Sequence, residues 1–228
     1  LGDGLDESGK SAEDAGGKFE KLDGILKGIG VAMGTVLVAA GAAAIKLGKE
    51  VVQQFGELEQ NLGGSEAVFG EYAASIQKTG EEAYKNLGVS QSQYLATANK
   101  MGALFQGSGI DQQKSLELTE QAMQRAADMA SVMGIDMQVA LDSVAGAAKG
   151  NFTMMDNLGV AMNATNVEAY ALAKGLDFTW NTATQAEKAE VAMQMFFEST
   201  EQYAGNFAKE STQTISGSIG LLQAALGS

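Results

Sequence analysis

The chain contains no proline, no cysteine and no histidine. Average usage would place roughly 11 prolines in a chain of this length, and their absence removes the usual helix breaker, which suits long or closely connected helices. Without cysteine there is no disulfide framework, no thiolate metal site and no clue to the redox compartment. Without histidine the usual general base, the commonest metal ligand and every Ser-His or Cys-His arrangement disappear together. Aromatic residues make up only 7%, with a single tryptophan, Trp180. Acidic residues outnumber basic ones by 28 to 15, for a net charge of −13. Such a surface repels a phosphate backbone, so direct nucleic-acid binding by this segment is not expected.

What is abundant is glycine, at 29, and methionine, at 11. The sequence starts at Leu1 and ends at Ser228 without a terminating signal, which reads as a piece of a longer protein. Residues 1–27 form a polar, glycine-interrupted lead with weak helical signal from Lys18 to Leu26. The region 28–62 reads as a long helix, and 63–228 as a compact helical core domain. Gly28 to Ile45, "GIGVAMGTVLVAAGAAAI", carries no charge and is bracketed by Lys27 and Lys46. As a helix it would span about 27 Å, close to a hydrocarbon thickness. Gly30 and Gly34 form G-x-x-x-G, Ala40 and Ala44 continue the small-xxx-small spacing, and Ile29, Val36, Leu37 and Val38 supply the apolar bulk. A membrane-competent helix and a helix buried among identical copies both fit. The acidic residues upstream argue against a secretory signal.

From Ser65 onward the pattern is one of short amphipathic helices. Phe69, Tyr72, Ala73, Ile76, Ala83 and Leu87 keep helical spacing after a break expected at Gly63–Gly64, and Gly88 ends the stretch. Ser90 with Gln93 forms a capping box, with Tyr94, Leu95, Ala98, Met101 and Phe105 on one face. Asp111 caps a helix to Met133, stopped at Gly134. Asp136 caps the next, in which Met137, Ala140, Leu141, Val144, Ala145 and Ala148 recur at helical intervals before Gly150. Thr165 with Glu168, and Thr184 with Glu187, read as further capping boxes. No stretch alternates with period two. The expected fold is all-α, with extended N-terminal helices and a compact multi-helix core.

Gly4 to Ser11, "GLDESGKS", matches the phosphate-loop pattern G-x-x-x-x-G-K-[ST]. A working loop must follow a buried strand and open a helix on a parallel sheet, and neither feature is readable here. Asp6 and Glu7 would also set negative charge against the phosphates. The match reads as chance, and no cofactor is expected. Carboxylate pairs are the only catalytic option left, yet the acids fall on solvent faces or at N-caps, so no enzyme activity is expected. No spacing marks a metal site. The methionines read mainly as core filler, and Trp180 as a loop aromatic folded back on the helices. "GNF" occurs twice, at Gly150-Asn151-Phe152 and Gly205-Asn206-Phe207. Each reads as a glycine turn, an asparagine suited to a cap and a phenylalanine stapling the turn to the core.

Three stretches, in order, carry a resemblance: "GVSQSQYLATANKMGALFQGSGI", then "AMQRAADMASVMGIDMQVALDSVAGAAKGNFTMMDNLGVAMN", then "TNVEAYALAKGLDFTWNTATQAEKAEVAMQMFFESTEQYAGNFAKESTQTISGSIGLLQAAL". Together they resemble the helical core of tail tape measure proteins of long-tailed bacteriophages and prophages, over about Gly88 to Ser228. The piece around Gly150, Asn151, Phe152, Asn157, Leu158 and Gly159 is the most specific. Where the family often has a Gln-Gly-Asp-Phe-Ala turn, this chain has Tyr203-Ala204-Gly205-Asn206-Phe207-Ala208. The resemblance implies a virion protein extended in the tail tube lumen, whose length sets tail length and which leaves ahead of the DNA. It also implies host cytoplasm during assembly, contacts with tail tube, tail tip and assembly chaperone proteins, several copies per tail, and contact of the apolar stretch with the host inner membrane on ejection. The alternative from another class is a secreted, pore-forming helical protein, resting on 28–45 alone.

Overall fold

A computed structural model describes residues 56–213, with side chains through Lys209. All but Gly56 belong to the unit Glu57–Ser228. The apolar stretch 28–45, the phosphate-loop-like match and the lead lie outside the described residues. Those that are described fold as helices joined by tight turns, without a strand among them. In chain order they are α1 (described over 56–69), a 3₁₀ turn Gly70–Tyr72, α2 (Ala73–Glu81), α3 (Ala83–Asn86), α4 (Gln91–Gly107), α5 (Gln112–Met133) and α6 (Met137–Ala148). After the 3₁₀ turn Met155–Leu158 come α7 (Ala164–Ala173), α8 (Gln185–Ser199), the 3₁₀ turn Glu201–Tyr203 and α9 (Asn206–Gln213).

Local chemistry explains most boundaries. Ser90 accepts from the Gln93 N–H at 3.3 Å while the Gln93 side chain accepts from the Ser90 N–H at 3.1 Å, which closes a capping box on α4. Thr184 and Glu187 do the same for α8. Asp111 accepts from the Lys114 N–H and starts α5, and Asp136 accepts from the Gln138 N–H and starts α6. Each such cap contributes about 1 kcal/mol by satisfying N–H groups that have no intrahelical acceptor. At the other end of α5, Gly134 turns left-handed at φ +63°.

Two expected boundaries are corrected. The break at Gly63–Gly64 does not occur, because α1 runs through both glycines. A Cβ on Gly64 would lie 2.7 Å from Nδ2 of Asn99, so glycine there serves the close approach of α4. The turn falls instead at Gly70, where φ is +52°. The capping box at Thr165 and Glu168 does not form either. Asn163 caps α7 by accepting from the Asn166 N–H at 2.9 Å, which places Thr165 inside the helix.

Helix α5 is the centre of the unit. Leu116, Leu118, Ala122, Met123, Ala126, Ala127, Met129 and Ala130 are buried along it, and α4, α6, α8 and α9 pack around it. Its run of alanines lets neighbouring axes come close, since interaxial distance follows side-chain size. The core is filled by Phe69, Ile76, Tyr94, Leu95, Met101, Phe105, Leu141, Met155, Leu158 and Phe196, each almost wholly buried. Met123, Met129 and Met155 are core, as expected of gap-filling methionines, while Met154 is exposed.

Candidate functional site

Two of the turns singled out in the sequence, at Gly159 and at Gly205-Asn206-Phe207, meet one element, the second half of α5. Gly159 follows the 3₁₀ turn containing Asn157 and Leu158. Its φ is +65°, and a Cβ on it would lie 2.9 Å from Cε of Met133. Leu158 is buried and Asn157 exposed. Farther along, the Gly205 N–H donates to one carboxylate oxygen of Asp128 at 2.9 Å and the Phe207 N–H to the other at 3.1 Å. Asn206 donates from Nδ2 to Oγ of Ser131 at 3.0 Å. The Phe207 ring lies against Gly88, where a Cβ would meet Cζ at 2.9 Å. One turn earlier on α5, the Arg125 guanidinium donates to the Phe197 carbonyl at 2.7 Å and to Oγ1 of Thr200 at 2.9 Å.

The arrangement is electrostatically complementary. A helix N-terminus carries partial positive charge and a C-terminus partial negative charge, each from unpaired backbone groups. Asp128 presents an anion to the N-terminus of α9, and Arg125 presents a cation to the C-terminus of α8. Hydrogen bonds to a charged group contribute about 1.5–3 kcal/mol each, so both grips are strong local ties. Asp128 is only 2% exposed, which corrects the expectation that acids occupy solvent faces or cap their own helices. It caps a helix 77 residues away.

The first GNF turn is built differently. Gly150 has φ +79° and faces the Trp180 indole, Asn151 accepts from the Thr153 N–H at 3.2 Å, and Phe152 is half-buried. Phe152 and Trp180 rings lie 5.4 Å apart, Phe178 packs edge-on to Trp180 at 6.2 Å, and the Lys188 ammonium sits 5.4 Å above the indole. Glu168 accepts from the Trp180 N–H at 2.7 Å, which fixes the loop that carries the tryptophan. Nearby, Lys174 pairs with Glu198 at 2.6 Å. Partial burial together with the Glu198 carboxylate pushes the Tyr170 phenol up to about 12.

Beside the α5 hub lies a groove of about 280 Å³, lined by Leu158, Gly159, Val160, Met195, Thr200 and Tyr203 among others. Its polar groups are hydroxyls and amides, with no acid or base in the lining. Among the described residues no cluster of acidic side chains is arranged to hold a metal ion, and no helix is long and apolar enough to cross a membrane. Tyr94 is buried, and burial raises its phenol far above the ordinary range, with the Glu120 charge adding to the effect.

Arg125 and Asp128 were not legible as functional residues. They lie with Gln121 and Gln124 on a polar stripe of α5 that looks like an ordinary solvated face. The docking of α8 covers Arg125 and that of α9 covers Asp128, while Gln121 stays exposed. No family model, curated protein or solved structure matches the chain.

Proposed function

We propose that this chain is part of a phage tail tape measure protein, a structural protein of the virion that sets tail length and precedes the DNA on ejection. The observation that carries the reading is the ordered resemblance over Gly88 to Ser228, most specific at "GNFTMMDNLGVAMN". The way the polar groups are used is compatible with it. Asp111, Asp128, Asp136, Asn163 and Glu187 are engaged at helix ends, Arg125 at a helix C-terminus, and Glu168 on a loop N–H. These are architectural assignments. An acidic surface would let DNA slide past without adhering.

On this reading the partners are tail tube, tail tip and assembly chaperone proteins together with further copies of the chain. The 28–45 segment is the part that meets the host inner membrane. The test is tail length. Four duplications of Lys46 to Asn61 in the parent gene add about 64 residues, and a helical ruler rising about 1.5 Å per residue lengthens tails by roughly 100 Å. Electron microscopy of the particles reads this directly. Tails of normal length on viable particles would overturn the ruler reading of this segment and move the weight to a pore-forming protein. That alternative predicts dye release from liposomes by the chain, lost when charges replace Gly34 and Val38.

A further inference from the structure

Helix α9 is attached in an unusual way. Its start, Gly205-Asn206, offers no Ser, Thr or Asp of its own to accept the N–H groups of its first turn. The acceptor comes from α5, where both Asp128 oxygens are taken by Gly205 and Phe207. Asn206 and Phe207 are half-buried, Ala208 and Lys209 exposed, so the described side chains of α9 include none that is fully buried. Helix α8, by contrast, buries Ala189, Val191, Ala192, Met193 and Phe196 and is gripped separately by Arg125. Between the two grips run residues 201–205, of which only Tyr203 is even half-buried. Ala204 is extended at ψ 131°. Gly205 has φ +76° with open space around it.

We infer that α9 is a hinged strap, latched to the helical body by the Asp128 carboxylate, which opens about residues 201–205 as a unit while α4 to α8 keep their packing. The two halves of the latch depend on each other. Breaking only one tie would leave an oxygen of a carboxylate that is still buried short of a donor, so the two ties break together. Opening does not disturb Arg125, whose contacts all lie on the α8 side of the hinge. The strap gives a compact unit a first step toward an extended chain, and it holds independently of the tail-protein reading.

Hydrogen exchange followed by mass spectrometry on the 228-residue chain tests this. In low urea, amides of 205–213 should exchange through an opening with weaker urea dependence than amides of α5 and α6, the signature of sub-global opening. Asp128→Asn replaces one acceptor by a donor. It should speed exchange across 205–213 by about tenfold while α5 and α6 change by less than about twofold. Unchanged rates in 205–213, or rates that rise equally everywhere, would overturn the strap. If Asp128→Asn does not fold, Gly205→Ala decides, because it strains the hinge at φ +76° and leaves the carboxylate in place. Selective acceleration of 205–213 then supports the latch, and uniform or absent acceleration overturns it.

Discussion

Gly102 on α4 faces α1 so closely that a Cβ there would lie 2.3 Å from Cζ and 2.5 Å from Cε1 of Phe69, and 3.0 Å from Cγ1 of Val68. Phe69 is completely buried, so its ring has little room to retreat. Gly102→Ala should therefore destabilise the unit by about 1–3 kcal/mol, as overpacked cores do. Urea denaturation would show it as a lower midpoint with an unchanged slope. An unchanged midpoint would mean that the ring can shift at no cost. The same seam holds Asn99, which donates to the Asn61 carbonyl at 2.8 Å. The side chains of Gln106 and Gln112 both donate to the Val68 carbonyl at 2.8 Å. These two glutamines close the end of α1 from 38 and 44 residues away, and nothing in the local sequence distinguishes them from solvated glutamines.

At the scale of the element, α8 has an engaged carboxylate at each end. The Thr184 backbone N–H, followed by its hydroxyl, holds the Glu187 carboxyl below its ordinary value of 4.5. Lys174, followed by Tyr170, does the same for Glu198. For a carboxyl whose folded pKa is depressed, the stabilising contribution is complete above the unfolded value and fades as pH falls through the folded one. The ends of α8 should thus fray as the solution is acidified below about 4.5. Carboxyl-detected NMR titration should place both groups below the ordinary carboxylates of the chain. Thr184→Ala removes the cap acceptor and should lower stability by about 1 kcal/mol. It should also return the Glu187 titration toward its ordinary value. Loss of stability without that return would separate the two halves of the box.

At the scale of the whole molecule, the absence of proline and cysteine makes a kinetic prediction. Prolyl isomerisation and disulfide reshuffling supply the usual slow phases of refolding, on the order of tens of seconds and longer. Neither can occur in this chain. Stopped-flow refolding from urea, followed by the single Trp180 between Phe152 and Phe178, should lack any phase in that range and be insensitive to a prolyl isomerase. A slow phase that persists at low protein concentration would point to a trapped helix arrangement, with the α9 strap the first place to look.

The all-α architecture, the capped starts of α4, α5, α6 and α8 and the glycine stop after α5 were readable from the sequence. They rest on contacts between residues no more than about four positions apart, where a side chain meets the backbone of its own turn. Periodicity likewise placed Tyr94, Leu95, Ala98, Met101 and Phe105 on the buried face of α4. Tertiary structure decided what local signals could not. It determined that Gly64 is a crossing point and not a stop, that Asn163 displaces Thr165 as the cap, and that Glu168 serves the Trp180 loop. It also decided that two polar residues of α5 tie down the ends of α8 and α9. Arg125 and Asp128 find their partners 72 to 79 residues away, and a charge becomes a latch only when another helix end arrives to cover it.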